Sequence, residues 1–164
     1  MSMIGHLRMI SDDGIDALLA DPEAIYGIID ATDDQEDTPS LDLGKAWHAI
    51  HYILTGSAWS GTFPEGFLLT GGTPIGEEDV GYGPARAFYA SEVVILASTL
   101  VNLDDATFCD RCSVERLQAA DLYPGFAGAS DADVCSDLLA AFQQLRNFLQ
   151  QAAATQQGLL VYLD

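Results

Sequence analysis

A chain of 164 residues, 49% hydrophobic with 15 glycines, is long enough to bury one core without disulfides, so residues 1–164 are read as a single domain. Its 25 acidic residues outweigh one lysine and five arginines, giving a formal net charge of −19. That balance excludes nucleic acid and anionic membrane surfaces as partners, because no basic stripe exists to neutralise phosphates. A basic protein partner is permitted by a field of this sign, yet the aspartates run from Asp12 to Asp164 in small clusters only. Such a spread also fits a general acidic bias that serves solubility or salt tolerance.

The chain opens with Met3-Ile4-Gly5-His6-Leu7-Arg8-Met9-Ile10, whose alternation predicts a strand with one face buried. Ser11 then stands at an N-cap position with Asp12 and Asp13 in the first turn, and Ile15, Leu18 and Leu19 form the apolar edge of a short helix. Asp21-Pro22 ends that helix and opens another, which carries Ile25, Ile28 and Ile29 at helical spacing. Asp30 to Ser40 has almost nothing to bury and is expected as a solvated loop. A helix follows over Leu43 to Leu54, with Asp42 as a cap or first-turn acid and Gly56 as its stop.

Gly56 to Pro64 is rich in turn residues, and Phe67-Leu68-Leu69 is expected as a short buried strand. Ala85 to Ala90 reads as another strand, leading into a helix over Ser91 to Val101. One or two short helices are expected over Asp104 to Ala120. The longest element runs from about Asp131 to Gln156, where Val134, Leu138, Phe142, Leu145 and Leu149 form one wide apolar face and Gly158 is placed to stop it. Leu159 to Leu163 has no alternation and predicts an inner strand. Strands at both ends with helices between imply an α+β fold: a mixed β-sheet formed partly by both chain termini and covered by several α-helices. The longest apolar runs, Val93 to Ala97 among them, are too short to span a bilayer, and Met1 to Ile10 lacks a signal-peptide core, so a cytoplasmic protein is expected.

Two blocks gather chemistry. On a helix at about 100° per residue, Leu43, Ala46, Trp47, Ile50, Ile53 and Leu54 fall in one stripe, while Gly44, His48, His51 and Thr55 fall on its flank. The two imidazoles thus lie one turn apart beside Trp47. Such a pair can serve as a general base, hold a metal if further ligands arrive, or fasten two elements through backbone carbonyls, the commonest of the three roles. The second block, Glu77 to Arg86, sets Asp79, Tyr82 and Arg86 on a Gly/Pro frame. Arg86 could grip an anion bidentately or tie its loop to a carboxylate or carbonyl. Cys109-Asp110-Arg111-Cys112 is a C-x-x-C without a second pair, and Cys135 stands apart. Three thiols in no framework spacing predict a reducing compartment and small buried or half-buried cysteines, with no metal and no cofactor. No nucleotide-binding, zinc-protease or serine-hydrolase motif is present.

In order along the chain, Met3-Ile4-Gly5, Leu41-Asp42-Leu43, K-A-W-H-x-x-H-Y from Lys45 to Tyr52, Leu54-Thr55-Gly56 and Gly71-Gly72 form a specific combination. Asp79, G-Y-G-P-A-R from Gly81 to Arg86, and Tyr123-Pro124 complete it. In these pieces the chain resembles the YfbM-like proteins, or domain of unknown function 1877, over nearly its whole length. The resemblance implies a small soluble α+β bacterial protein and no particular reaction. One departure is Tyr89-Ala90-Ser91, where a Thr-Pro helix start is expected in the family; a weaker cap follows.

Three readings follow from these residues. The first is a binding or interaction protein with a polar cleft between the His48/His51 helix and the Tyr82–Arg86 loop, lined by Trp47, His48, His51, Asp79, Tyr82 and Arg86. The occupant would be a small molecule or a protein, a basic one included. The second is a hydrolase-like enzyme with His48 or His51 as general base and Arg86 as anion clamp. In the third, both blocks only fasten the fold.

Overall fold

The computed structural model describes residues 2–31 and 38–164, so most of the expected loop from Asp30 to Ser40 lies outside the described residues. In chain order, β1 (Gly5–Ile10) leads into α1 (Asp12–Ala20), a 3-10 turn at Pro22–Ala24 and α2 (Ile25–Ile29). Then come β2 (Ser40–Gly44), α3 (Ala46–Thr55), β3 (Thr73–Pro74) and β4 (Arg86–Phe88). The second half holds α4 (Ala90–Val101), α5 (Asp105–Asp110), α6 (Val114–Ala119), α7 (Asp131–Ala154) and β5 (Gly158–Leu163).

The strands form one sheet in the order β2-β1-β5-β4-β3, with the two terminal strands paired at its centre. The fold is α+β, as the sequence predicts. The expectation of a mixed sheet is corrected: each pairing is antiparallel, because neighbouring strands arrive from opposite ends, Gly5 facing Leu163 and Ile10 facing Gly158. Every residue of β5 is buried, which explains its unbroken apolar run. On one face Leu7, Met9, Phe88, Leu159 and Val161 join the cluster built with α3, α4 and α7. On the other, Ala87, Leu160 and Tyr162 pack with Ile15 and Leu18 of α1 and with Ile25 of α2.

Cross-strand register positions the site. Arg86 lies opposite Val161 and Phe88 opposite Leu159, so Arg86 emerges on the face covered by α3. That helix sits hard on β1: a Cβ on Gly5 would lie 2.7 Å from the Cβ of Trp47, a separation only glycine permits.

Three local expectations are corrected. The histidine helix starts at Ala46 rather than Leu43, because Ser40–Gly44 pairs with β1; Asp42 accepts the Gly44 N–H at 2.6 Å and turns the chain. Phe67-Leu68-Leu69 is a turn and not a strand. Gly158 opens β5, and the reversal after α7 is made by Gln156 at φ 55°. The weaker cap expected at α4 is corrected as well: Glu92 in the helix's own first turn accepts the Tyr89 N–H, and Asp12 of α1 accepts the Ala90 N–H, both at 2.8 Å.

Candidate functional site

His48 and His51 project from α3 into a fully enclosed setting, each with 0% of its surface exposed. His48 Nε2–H donates to the Ala58 carbonyl at 2.8 Å, while its Nδ1 accepts the Tyr123 N–H at 3.0 Å. Both nitrogens are therefore occupied, and the two bonds together fix the neutral Nε2–H tautomer. The ring lies against Trp47 at 4.7 Å and against Trp59 at 4.3 Å. Trp47 itself donates Nε1–H to the Met3 carbonyl at 3.1 Å. His51 Nε2–H donates to the Ser60 carbonyl at 3.1 Å, and its Nδ1 is buried with no partner among the described residues. Burial pushes both imidazoles below their ordinary range, against the carbonyl bonds that favour the charged form.

Arg86 approaches the same region from the sheet. Its Nη1 donates to the carbonyls of Phe67 (2.9 Å), Thr70 (2.8 Å) and Gly71 (3.2 Å), and its Nη2 to that of Leu68 (2.8 Å). The guanidinium also sits 5.8 Å from the centre of the Phe88 ring. Burial lowers its pKa to about 10, which leaves it charged at neutral pH. It is close enough to His51 for its positive charge to oppose protonation of that ring.

The structure thus brings His48, His51 and Arg86 together, with backbone between them. The segment 57–71 runs through the expected cleft, held by imidazole donors on one side and by the guanidinium on the other. Inside the segment, Thr70 Oγ1 lies 3.0 Å from the Gly61 carbonyl and the Ser57 and Ser60 hydroxyls are 2.6 Å apart. Donors that a reaction would use are engaged by carbonyls that a turn leaves unpaired.

Asp79 and Tyr82 lie elsewhere. The Asp79 carboxylate accepts the N–H groups of Gly81 (2.8 Å) and Gly83 (2.9 Å), and these bonds hold its pKa below the usual carboxylate range. Tyr82 donates its backbone N–H to Leu163 at 3.1 Å and leaves its ring exposed. Gly81, at φ 147°, lets this loop touch the chain end: a Cβ there would fall 2.6 Å from Asp164 Cα. The G-Y-G piece thus seals the end of β5.

A groove that no sequence motif marks lies beside the C-terminal end of α3. A hollow of about 290 Å³ is lined by Tyr52, Ile53, Leu54, Arg111 and Arg116, and an adjoining one of about 440 Å³ shares Tyr52 and Arg116. Neither has a carboxylate in its described lining. Arg111 donates to the Ile53 carbonyl at 3.1 Å, satisfying a helix-end acceptor. Arg116 is exposed, and its side chain makes no hydrogen bond or ion pair among the described residues. The sequence signal was the rarity of cations: two of six stand five residues apart here. A recess of about 490 Å³ on the opposite face of the sheet is lined by His6, Arg8, Asp42, Tyr162 and Asp164.

Among the described residues, no three or more His, Cys, Asp or Glu side chains are arranged to hold a metal ion, and no helix is long and apolar enough to cross a membrane.

Comparison with known proteins places the chain. No curated protein matches it. Among solved structures it is similar to the crystal structure of YfbM, a protein of unknown function from Escherichia coli, with a TM-score of 0.76 and 20% identity over 98% of this chain and 99% of that one. At that identity the likeness shows a shared fold. The family described as a domain of unknown function, DUF1877, matches residues 1–162. With the histidine helix, the G-Y-G-P-A-R loop and all of the sheet but Leu163 falling inside that span, the chain belongs to the DUF1877 family.

Proposed function

We propose that this protein is a binding protein whose site is the Arg111/Arg116 groove, taking a ligand with an anionic group and an apolar body. One observation carries the reading: in a chain of net charge −19, two guanidiniums flank a hollow without a lining carboxylate. With so many acids available, an exposed arginine that engages none of them is the group to expect at an anion site. Tyr52, Ile53 and Leu54 supply apolar wall, and the phenol adds a polar tip. The hydrolase reading has less support, because both nitrogens of His48 are occupied, His51 is fully buried behind its bond to Ser60, and Arg86 is engaged by four carbonyls.

The net field of the protein repels anions, so simple probes bind weakly and the guanidiniums must supply the attraction locally. Titration of isotope-labelled protein with inorganic phosphate and with succinate, at constant ionic strength, tests the site by amide shifts. Shifts should concentrate on residues 52–58 and 111–120, and Arg116→Ala should weaken them about tenfold. The Arg116 side chain makes no hydrogen bond or ion pair among the described residues, so an unchanged response in that variant overturns the assignment.

A further inference from the structure

The three cysteines, dispersed in sequence, meet in space. Helix α5 packs antiparallel along α7, and the contacts fix its register. Asp105 accepts from Gln143 at 2.8 Å and pairs with Arg146 at 2.9 Å, and Phe108 stacks on Phe142 with ring centres 4.4 Å apart. Beyond α5, the Val114 N–H donates to Asp131 at 2.8 Å. These contacts bracket Cys109 and Cys112 on one side and Cys135 on the other. Cys112 belongs to the buried core with Cys135 packed against it, and the Cys135 thiol lies near enough to both Cys109 and Cys112 to raise their pKa values. The Cys112 N–H also donates to the Cys109 carbonyl at 3.0 Å, closing the C-x-x-C into a tight turn. All three thiols are free; Cys112 is buried, while Cys109 and Cys135 are half-exposed.

We propose that Cys109 and Cys135 form an oxidisable thiol pair whose disulfide joins α5 to α7, with buried Cys112 as the alternative partner of Cys135. The oxidant class is a hydroperoxide. The Cys109 sulfur gives up its proton and attacks a peroxide oxygen; the O–O bond breaks, and the departing oxygen leaves as water or an alcohol. Cys135 then attacks the sulfenic sulfur, the S–O bond breaks, and hydroxide leaves with the Cys135 proton as water. Two thiols lose two electrons in all, and one hydroperoxide is reduced.

The surroundings set the pace. Hydrogen bonding to Cys135, then burial and nearby carboxylates, pushes the Cys109 thiol up to about 11; burial first, then Cys135, pushes Cys112 up to about 12. Little thiolate exists at neutral pH, so the pair is sluggish toward peroxide and speeds up as pH rises.

Treatment of the whole protein with hydrogen peroxide, alkylation of the remaining thiols and non-reducing peptide mapping test this. The expected result is a cross-link between the peptides carrying Cys109 and Cys135, reversed by dithiothreitol, with Cys112 alkylated. The thermal midpoint of the oxidised form should rise by roughly 5–10 °C, since the bridge closes a sizeable loop. Cys109→Ser should redirect the link to Cys112–Cys135, and Cys135→Ser should yield no internal disulfide. A Cys109–Cys112 bridge in the unaltered protein, or three thiols oxidised singly without a cross-link, overturns the proposal.

Discussion

Two parts of this molecule use arginine in opposite ways. Around residues 57–71, Arg86 and the two histidines give their donors to backbone carbonyls and add their hold to the turn's own backbone bonds. Beside the end of α3, Arg111 gives one bond to a carbonyl and Arg116 gives none among the described residues. Both regions would read as candidate sites from residue type alone. What separates them is whether the side-chain donors already have partners. A side chain with every donor engaged by its own fold has little left for a ligand.

Substitutions sharpen that contrast, and the largest effect belongs to Arg86. Arg86→Ala should lose about 3 kcal/mol in urea unfolding, because four carbonyls are left without their charged donor. Phosphate binding at the groove should persist in that variant; its loss alongside stability would mean the two regions are one unit. Next comes His48→Ala, which removes two hydrogen bonds and the ring packed between Trp47 and Trp59, and should cost about 2 kcal/mol.

The histidines also set a pH dependence. Their folded pKa values lie below the unfolded value of about 6.5, so the unfolded chain binds more protons once pH drops under that point. The stability they support is complete above about pH 6.5 and is lost as pH falls toward the folded values. Asp79, Asp104 and Asp105 are held below their ordinary 3.8, so they act only in a lower window. Urea midpoints at pH 7.5, 6.5 and 5.5 should therefore decline, and a His48→Gln, His51→Gln double variant should flatten the decline. Equal slopes in both proteins would remove the histidines from the account. The smallest effect is expected at Tyr82→Phe, whose hydroxyl makes no bond among the described residues; neither stability nor phosphate binding should move.

Much of the fold is legible in the sequence. The terminal strands, Ser11 as a cap and the long apolar face of α7 depend on local chemistry and periodicity, and each occurs. Where reading failed, a distant partner decided. Ser40–Gly44 became a strand because β1 offered an edge, and Phe67-Leu68-Leu69 stayed a turn because Arg86, remote in sequence, took its carbonyls. The site divides the same way. Placing His48, His51 and Trp47 side by side needed only helical spacing, but nothing in residue order tells that a protein segment fills the space they face. The meeting of Cys109 and Cys112 with Cys135 is likewise set by the packing of α5 on α7, which spacing does not encode.

The pairing of β1 with β5 reaches beyond the finished molecule to its making. A ribosome delivers residues 5–10 first and residues 158–163 after everything between. Until then β1 has only β2 beside it, and β4 lacks the neighbour through which it joins the rest. Leu7 and Met9 must wait, unshielded by a completed sheet, until residues 158–163 arrive. Completion of the central layer therefore waits on residues 158–163, the last of its described strands to be made.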